Sequence, residues 1–191
     1  MLPFTELTAA PELVVSSEQK LTVSGFGANG FESQLYNAKR GADYEKPVRD
    51  EGLDGPEWQD LGPAQERAVT EEKKIMIFFE AEWCGICRRL ESEVFSNQTV
   101  LRKLHGSYIP VMIDVDSKSP VLFNGEELSV RRFAQQNNIL TVPTLLFVDE
   151  AGNVMAHQAG FIPAERMKAL LDFVDSEAFG RQSFEEFLDS L

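Results

Sequence analysis

The sequence predicts an α/β fold: a mixed central β-sheet flanked by helices, with an N-terminal extension and an added C-terminal helix. Three observations predict it. The short unbroken apolar runs Ile75–Phe79, Tyr108–Val115 and Thr144–Val148 have the length and continuity of strands covered on both faces. Stretches with apolar residues at helical spacing separate these runs. A turn and a further short apolar stretch then follow the third run, ahead of a last periodic stretch. A β-α-β crossover followed by a β-β-α half gives a sheet that mixes parallel and antiparallel neighbours.

Residues 1–62 read as a partly irregular extension, rich in Gly, Pro, Asp and Glu. Within it, Leu13–Val15 and Leu21–Val23 suit two short strands around the polar stretch Ser16–Lys20, and Phe26, Phe31, Leu35 and Tyr36 offer apolar anchors. Asp50–Pro63 is a Gly- and Pro-rich loop. The compact domain takes residues 63–191. Pro63 opens a helix to about Lys73, because proline's fixed φ and missing N–H suit a first helical turn. Ile75–Phe79 is the first buried strand. Beyond it, Ile86, Leu90 and Val94 recur on one helical face. Ser96 caps a further helix carrying Val100, Leu101 and Leu104.

After the Tyr108–Val115 strand, Lys118–Gly125 reads as a loop and Glu126–Asn137 as a helix with Leu128, Val130, Phe133 and Ala134 inward. Thr144–Val148, the turn Asp149–Asn153 and Val154–Gln158 make a hairpin. Pro163 opens a helix bearing Met167, Leu170, Leu171 and Val174. Ser183 with Glu186 forms a capping box for a terminal helix carrying Phe184, Phe187 and Leu188.

Composition sets outer limits. At 191 residues and 43% apolar the chain can bury a sizeable core. A net charge of −13 excludes a nucleic-acid phosphate backbone as partner, since the electrostatic contribution is repulsive. No apolar run approaches the roughly 20 residues of a membrane helix, so no membrane insertion is expected. Met1–Thr5 has neither a basic nor an apolar leader region, which leaves a cytoplasmic chain or a mature form whose signal was removed.

The two cysteines, Cys84 and Cys87, enclose Gly85 and Ile86. So close a pair cannot staple distant parts of a fold. With only His105 and His157 elsewhere it is a poor zinc set, and no metal is expected. Redox chemistry is the leading use. Disulfide exchange needs a thiolate, and a free cysteine with a pKa of about 8.5 is mostly protonated at neutral pH. Cys84 falls where a strand ends and a helix begins, where unpaired amides and the helix dipole favour an anion. Cys87 falls about one turn further in. The roles are therefore unequal: Cys84 attacks, Cys87 resolves the mixed disulfide.

At Trp83-Cys84-Gly85-Ile86-Cys87 the chain resembles the thioredoxin superfamily. Phe79-Glu80-Ala81-Glu82-Trp83-Cys84 resembles the family's passage from strand to active site, Thr141-Val142-Pro143-Thr144 its cis-proline loop, and Gly160 the glycine before its last helix. The resemblance covers residues 64–175. Two branches look similar. SoxW-type periplasmic reductases share Phe123-Asn124-Gly125-Glu126 and an added C-terminal helix. The C-terminal thioredoxin domain of the DsbD membrane electron transporter resembles Glu91-Ser92-Glu93-Val94-Phe95-Ser96 and Gly160-Phe161-Ile162. The resemblance implies that Trp83, Gly85, Ile86, Val142 and Pro143 meet the substrate, with the Val142 backbone pairing to an extended peptide. It also implies a periplasmic location if a signal was removed.

The chain departs from the family between the cysteines, where the usual Gly-Pro is Gly85-Ile86, and at a buried place of the family's fold. The position six residues before the first cysteine, an Asp in the family, is Phe78, and the partnering Lys is replaced by an apolar residue, Met112. Glu91, four residues after Cys87, is the first candidate to move the second cysteine's proton and Glu80, near the strand end, the second; the bland alternative is that both are solvated surface acids. The expected function is reduction of protein disulfides. No cofactor is expected, since the cysteines carry the electrons. The partners are a disulfide-containing protein and an upstream dithiol donor, a membrane electron transporter among the candidates. A disulfide oxidase or isomerase, and a binding module with a structural disulfide, are the alternatives. The net charge and the local Glu80, Glu82, Glu91 and Glu93 favour basic or neutral partners on approach.

Overall fold

The computed structural model describes residues 13–15, 20–21 and 53–191. Phe26, Phe31, Leu35, Tyr36 and the end of the expected Leu21–Val23 strand lie outside them. The main sheet has six strands: β1 (Leu13–Val15), β2 (Lys20–Leu21), β3 (Lys74–Glu80), β4 (Tyr108–Asp114), β7 (Thr144–Val148) and β8 (Val154–Ala159), in the order β2-β1-β8-β7-β3-β4. β3 runs parallel to β4, from Lys74↔Tyr108 to Glu80↔Asp114, and antiparallel to β7. β1 pairs antiparallel with β8, so residues from the extension lie at the sheet's other edge.

Both faces of β3 are covered, which is why its sequence alternates nothing. Met76 and Phe78 enter one core with the helices α2 (Gly85–Glu93), α3 (Gln98–Ser107) and α5 (Ala164–Asp175). Ile75, Ile77 and Phe79 enter the other with α1 (Leu61–Glu71) and α4 (Val130–Gln136). A terminal helix, α6 (Phe184–Asp189), follows a 3-10 turn at Ala178–Gly180. Its capping box is formed as expected, and Phe173 on α5 meets the rings of Phe179, Phe184 and Phe187 at 6.3, 5.4 and 5.3 Å.

Three boundaries differ from expectation for local reasons. α1 begins at Leu61, so Pro63 stands inside its first turn, where N–H groups have no intrahelical acceptor and proline costs little. α3 is capped by Asn97, whose side chain accepts from Thr99 and Val100 N–H, while Ser96 Oγ donates back to Ser92 O. The third is larger. Residues expected as loop and helix start form a hairpin, β5 (Val121–Phe123) and β6 (Glu126–Leu128). Asn124 and Gly125 both have positive φ, 51° and 78°, the two-residue turn that matches strand twist. α4 therefore starts only at Val130, capped by Ser129.

Candidate active site

β3 ends at Glu80, and the chain turns sharply: Cys84 N–H donates to Ala81 O at 2.8 Å. Cys84 thereby becomes the N-cap of α2, and its sulfur accepts the Cys87 N–H at 3.1 Å. An amide aimed at that sulfur favours the thiolate once the pair is reduced. Cys84 and Cys87 form a disulfide with Cα atoms 5.2 Å apart. Their exposure is unequal: Cys84 retains 6% of its surface and Cys87 none. An incoming sulfur therefore meets Cys84 first.

The surroundings of Cys84 are apolar and open. Trp83 is 68% exposed and Ile86 54%, with Gly85 exposed between the sulfurs. Ile86 thus leaves the inward helical face expected of it, which is carried by Cys87, Leu90 and Val94. The register Phe79↔Thr144 brings the Thr141–Pro143 loop to the sheet end where β3 runs out towards Cys84. Thr144 Oγ1 donates to Thr141 O at 2.7 Å and Gly160 N–H to Pro143 O at 2.8 Å, fixing that loop. The Val142–Pro143 peptide is cis.

Glu80 lies within the electrostatic reach of Glu91. Burial is the largest cause raising the Glu80 carboxyl above the usual carboxylate range, followed by the charges of Asp114, Glu91, Glu82 and Asp116. The position of the family acid is apolar throughout. Phe78 is fully buried and lies in register with Met112 on β4 and Leu145 on β7. Its ring stacks on Trp58 at 5.7 Å and meets Phe95 edge-on at 5.3 Å. Arg88 donates to Glu82 O, and Arg89 pairs with Glu93 at 2.9 Å and covers the Phe161 ring at 4.2 Å, so the contacts that hold them are not to sulfur.

Sequence reasoning missed several neighbours. Asp116 Oδ2 accepts the Trp83 indole N–H at 2.7 Å and so steadies that exposed ring. Leu140 is 92% exposed beside the Thr141–Val142 loop. One signal was at hand for Asp116: ligand-facing residues of open α/β sheets gather beyond the carboxyl ends of parallel strands, and β4 ends at Asp114. Trp58 offered no such signal.

Among the described residues no helix is long and apolar enough to cross a membrane. Residues 61–175 match the thioredoxin-like domain family. The thiol:disulfide interchange protein DsbD of Actinobacillus pleuropneumoniae serotype 5b is 31% identical over 111 residues, 56% of this chain and 18% of that protein. Mitochondrial thioredoxin of Bos taurus is 26% identical over 118 residues, 62% of this chain and 58% of that protein. The chain thus spans less than two thirds of either relative. A thioredoxin-fold protein from Helicobacter pylori superposes with a TM-score of 0.54 at 17% identity, covering 63% of this chain and 80% of that one, a likeness of fold. With a disulfide-bonded cysteine pair at a strand–helix junction of a mixed sheet and a family match over residues 61–175, this chain belongs to the thioredoxin-like family.

Proposed function

We propose that the chain reduces protein disulfides through Cys84 and Cys87. One observation carries the reading: a cysteine pair, joined as a disulfide, whose outer sulfur is reachable and amide-bonded at a helix start, while its inner sulfur is sealed. In the reduced protein the Cys84 thiolate attacks one sulfur of the substrate disulfide. That bond breaks, a Cys84–substrate disulfide forms, and the departing sulfur takes a proton. Cys87 then gives its proton to a carboxylate and attacks Cys84 Sγ. The Cys84–Cys87 disulfide forms, the second substrate thiol leaves, and two electrons have passed to the substrate. An upstream dithiol donor restores the pair. The likeness to a thiol:disulfide interchange protein supports exchange, and the motif resemblance to the DsbD thioredoxin domain is the ground for a membrane electron transporter as donor and a periplasmic site of action. Trp83, Gly85, Ile86, Val142 and Pro143 frame the approach, and no described residue accepts from the Val142 N–H, which leaves it free for an extended peptide.

A redox titration against glutathione tests the direction. The expected result is a reversible two-electron couple towards the reducing end of the family range, roughly −270 mV. A value near the oxidising end, roughly −120 mV, makes the protein an oxidase. A disulfide that resists excess dithiol rules out exchange and leaves the binding-module reading.

Glu80 is our first choice for the proton acceptor, with Glu91 second. A carboxyl raised by burial and neighbouring charge accepts a proton closer to neutral pH than an exposed one does. Turnover is expected to rise with pH as Glu80 ionises, and Glu80→Gln should remove that limb and slow resolution by about 10-fold or more. The same raised pKa means that the folded state binds this proton more tightly than the unfolded chain. Stability therefore falls as pH rises from the ordinary carboxylate range through the raised value, and Glu80→Gln should flatten that slope. If Glu91→Gln, and not Glu80→Gln, alters the turnover profile, the assignment passes to Glu91.

A further inference from the structure

An open groove of about 750 Å³ runs from Trp83 to the Leu140–Val142 loop, beside the proposed exchange site. Val115, Val130 and Ile139 give it an apolar floor. Two cations line it: Lys118, from the loop after β4, and Arg131, in the first turn of α4. Both are exposed, and neither has a carboxylate partner among the described residues. Arg67, Arg89, Lys103, Arg166 and Lys168, by contrast, are held in ion pairs at 3.1 Å or less, while Arg88 and Arg181 bond to backbone carbonyls instead. The one acid lining the groove, Asp116, is engaged by the Trp83 indole.

We propose that Lys118 and Arg131 are specificity-determining residues that select disulfide substrates with an acidic side chain in the extended segment beside the reacting cysteine. The inference rests on the exchange reading of Cys84 and Cys87. A segment held at Cys84 and laid along Thr141–Val142 carries its next side chains over the groove. An apolar side chain finds the floor, and a carboxylate finds two cations without an ion-pair partner among the described residues, against the single negative charge of Asp116. Placing a Lys or Arg there sets like charges against each other.

This local preference opposes the chain's overall charge of −13, and the two act at different ranges. The overall field governs approach and is screened beyond a Debye length of about 8 Å at physiological salt. Lys118 and Arg131 act at contact. Glu80 stands in the field of Asp114, Glu91, Glu82 and Asp116, and that part of the surface favours a neutral or basic residue. A substrate with an acid on its groove side and a neutral or basic residue on the other satisfies both.

The test uses disulfide peptides of one sequence with Glu, Gln or Lys on either side of the reacting cysteine, and reads kcat/KM at low salt. On one side, and one side only, Glu should exceed Lys by roughly three- to tenfold, the scale of two exposed ion pairs. The Lys118→Glu/Arg131→Glu double variant should invert that ratio, with an unchanged melting temperature confirming the fold. Equal rates for Glu and Lys on both sides overturn the proposal, as does a ratio that survives the double variant. Failure of the wild-type protein to reduce even the Gln peptides would instead overturn the exchange reading, and this inference with it.

Discussion

Cys84→Ser should reduce disulfide reduction to the uncatalysed background, whereas Cys87→Ser should yield a protein that retains its substrates as stable mixed disulfides. The asymmetry of the pair requires this. Cys84 holds the exposed share of the two sulfurs and receives the Cys87 amide, while Cys87 has no solvent-exposed surface. A serine hydroxyl at position 84 does not ionise near neutral pH, so no nucleophile replaces the thiolate at the helix start. With Cys87 lost, the first exchange still proceeds, but no second sulfur stands within the 5.2 Å Cα separation that closes the ring. Insulin precipitation measures the first effect, and non-reducing electrophoresis after substrate exposure measures the second. Trapping by Cys84→Ser, with none by Cys87→Ser, would reverse the assignment.

Phe78→Asp, which restores the acid usual in the family, should destabilise the fold by roughly 3–5 kcal/mol. Phe78 is fully buried against Trp58 and Phe95, and its β4 neighbour is Met112, so no cation waits for the carboxylate. The new acid loses the ring's contacts and gains an unpaired polar group. Burial raises its pKa above that in the unfolded chain, so the native state binds the proton more tightly. The variant is therefore least impaired at acid pH and loses stability as pH rises through the carboxylate range. Urea unfolding at pH 4 and pH 8 reads both effects. Phe78→Leu, which changes packing alone, should show a smaller loss with no added pH dependence. A Phe78→Asp protein as stable as wild type at pH 8 would mean that water or a cation reaches this layer.

That layer also marks how far one sequence reaches. That Phe78 and Met112 stand where the family has a charged pair is what the resemblance implied, and the strands place the two residues in register. What fills the resulting space was not legible. Trp58 comes from a stretch that reads as a loop, yet its segment is tied down by Leu53 to Gln98, by Gly55 O to His105, and by Gln59 N–H to Pro110 O. Each contact joins residues about fifty apart in the chain. No periodicity within a short window encodes such contacts. The Asn124–Gly125 hairpin is the opposite case. Its signal was local and present, but the apolar spacing of Leu128, Val130 and Phe133 drew the helix start four residues too early.

By itself the sequence determined the runs of the main sheet's central strands, the helical faces apart from Ile86, the Ser183–Glu186 capping box and the placement of Cys84 at a strand–helix junction. These follow from side-chain period, cap chemistry and turn stereochemistry, all of which act over a few neighbouring residues. Only the tertiary structure decided that Asp116 steadies Trp83, that Glu80 and Glu91 share one electrostatic field, and that Lys118 and Arg131 face a groove without carboxylate partners. Those relations arise where the carboxyl ends of β3 and β4 meet the loop before β7. The parallel crossover brings segments some thirty to sixty residues apart to one end of the strands, and their side chains become neighbours only once both cores have packed.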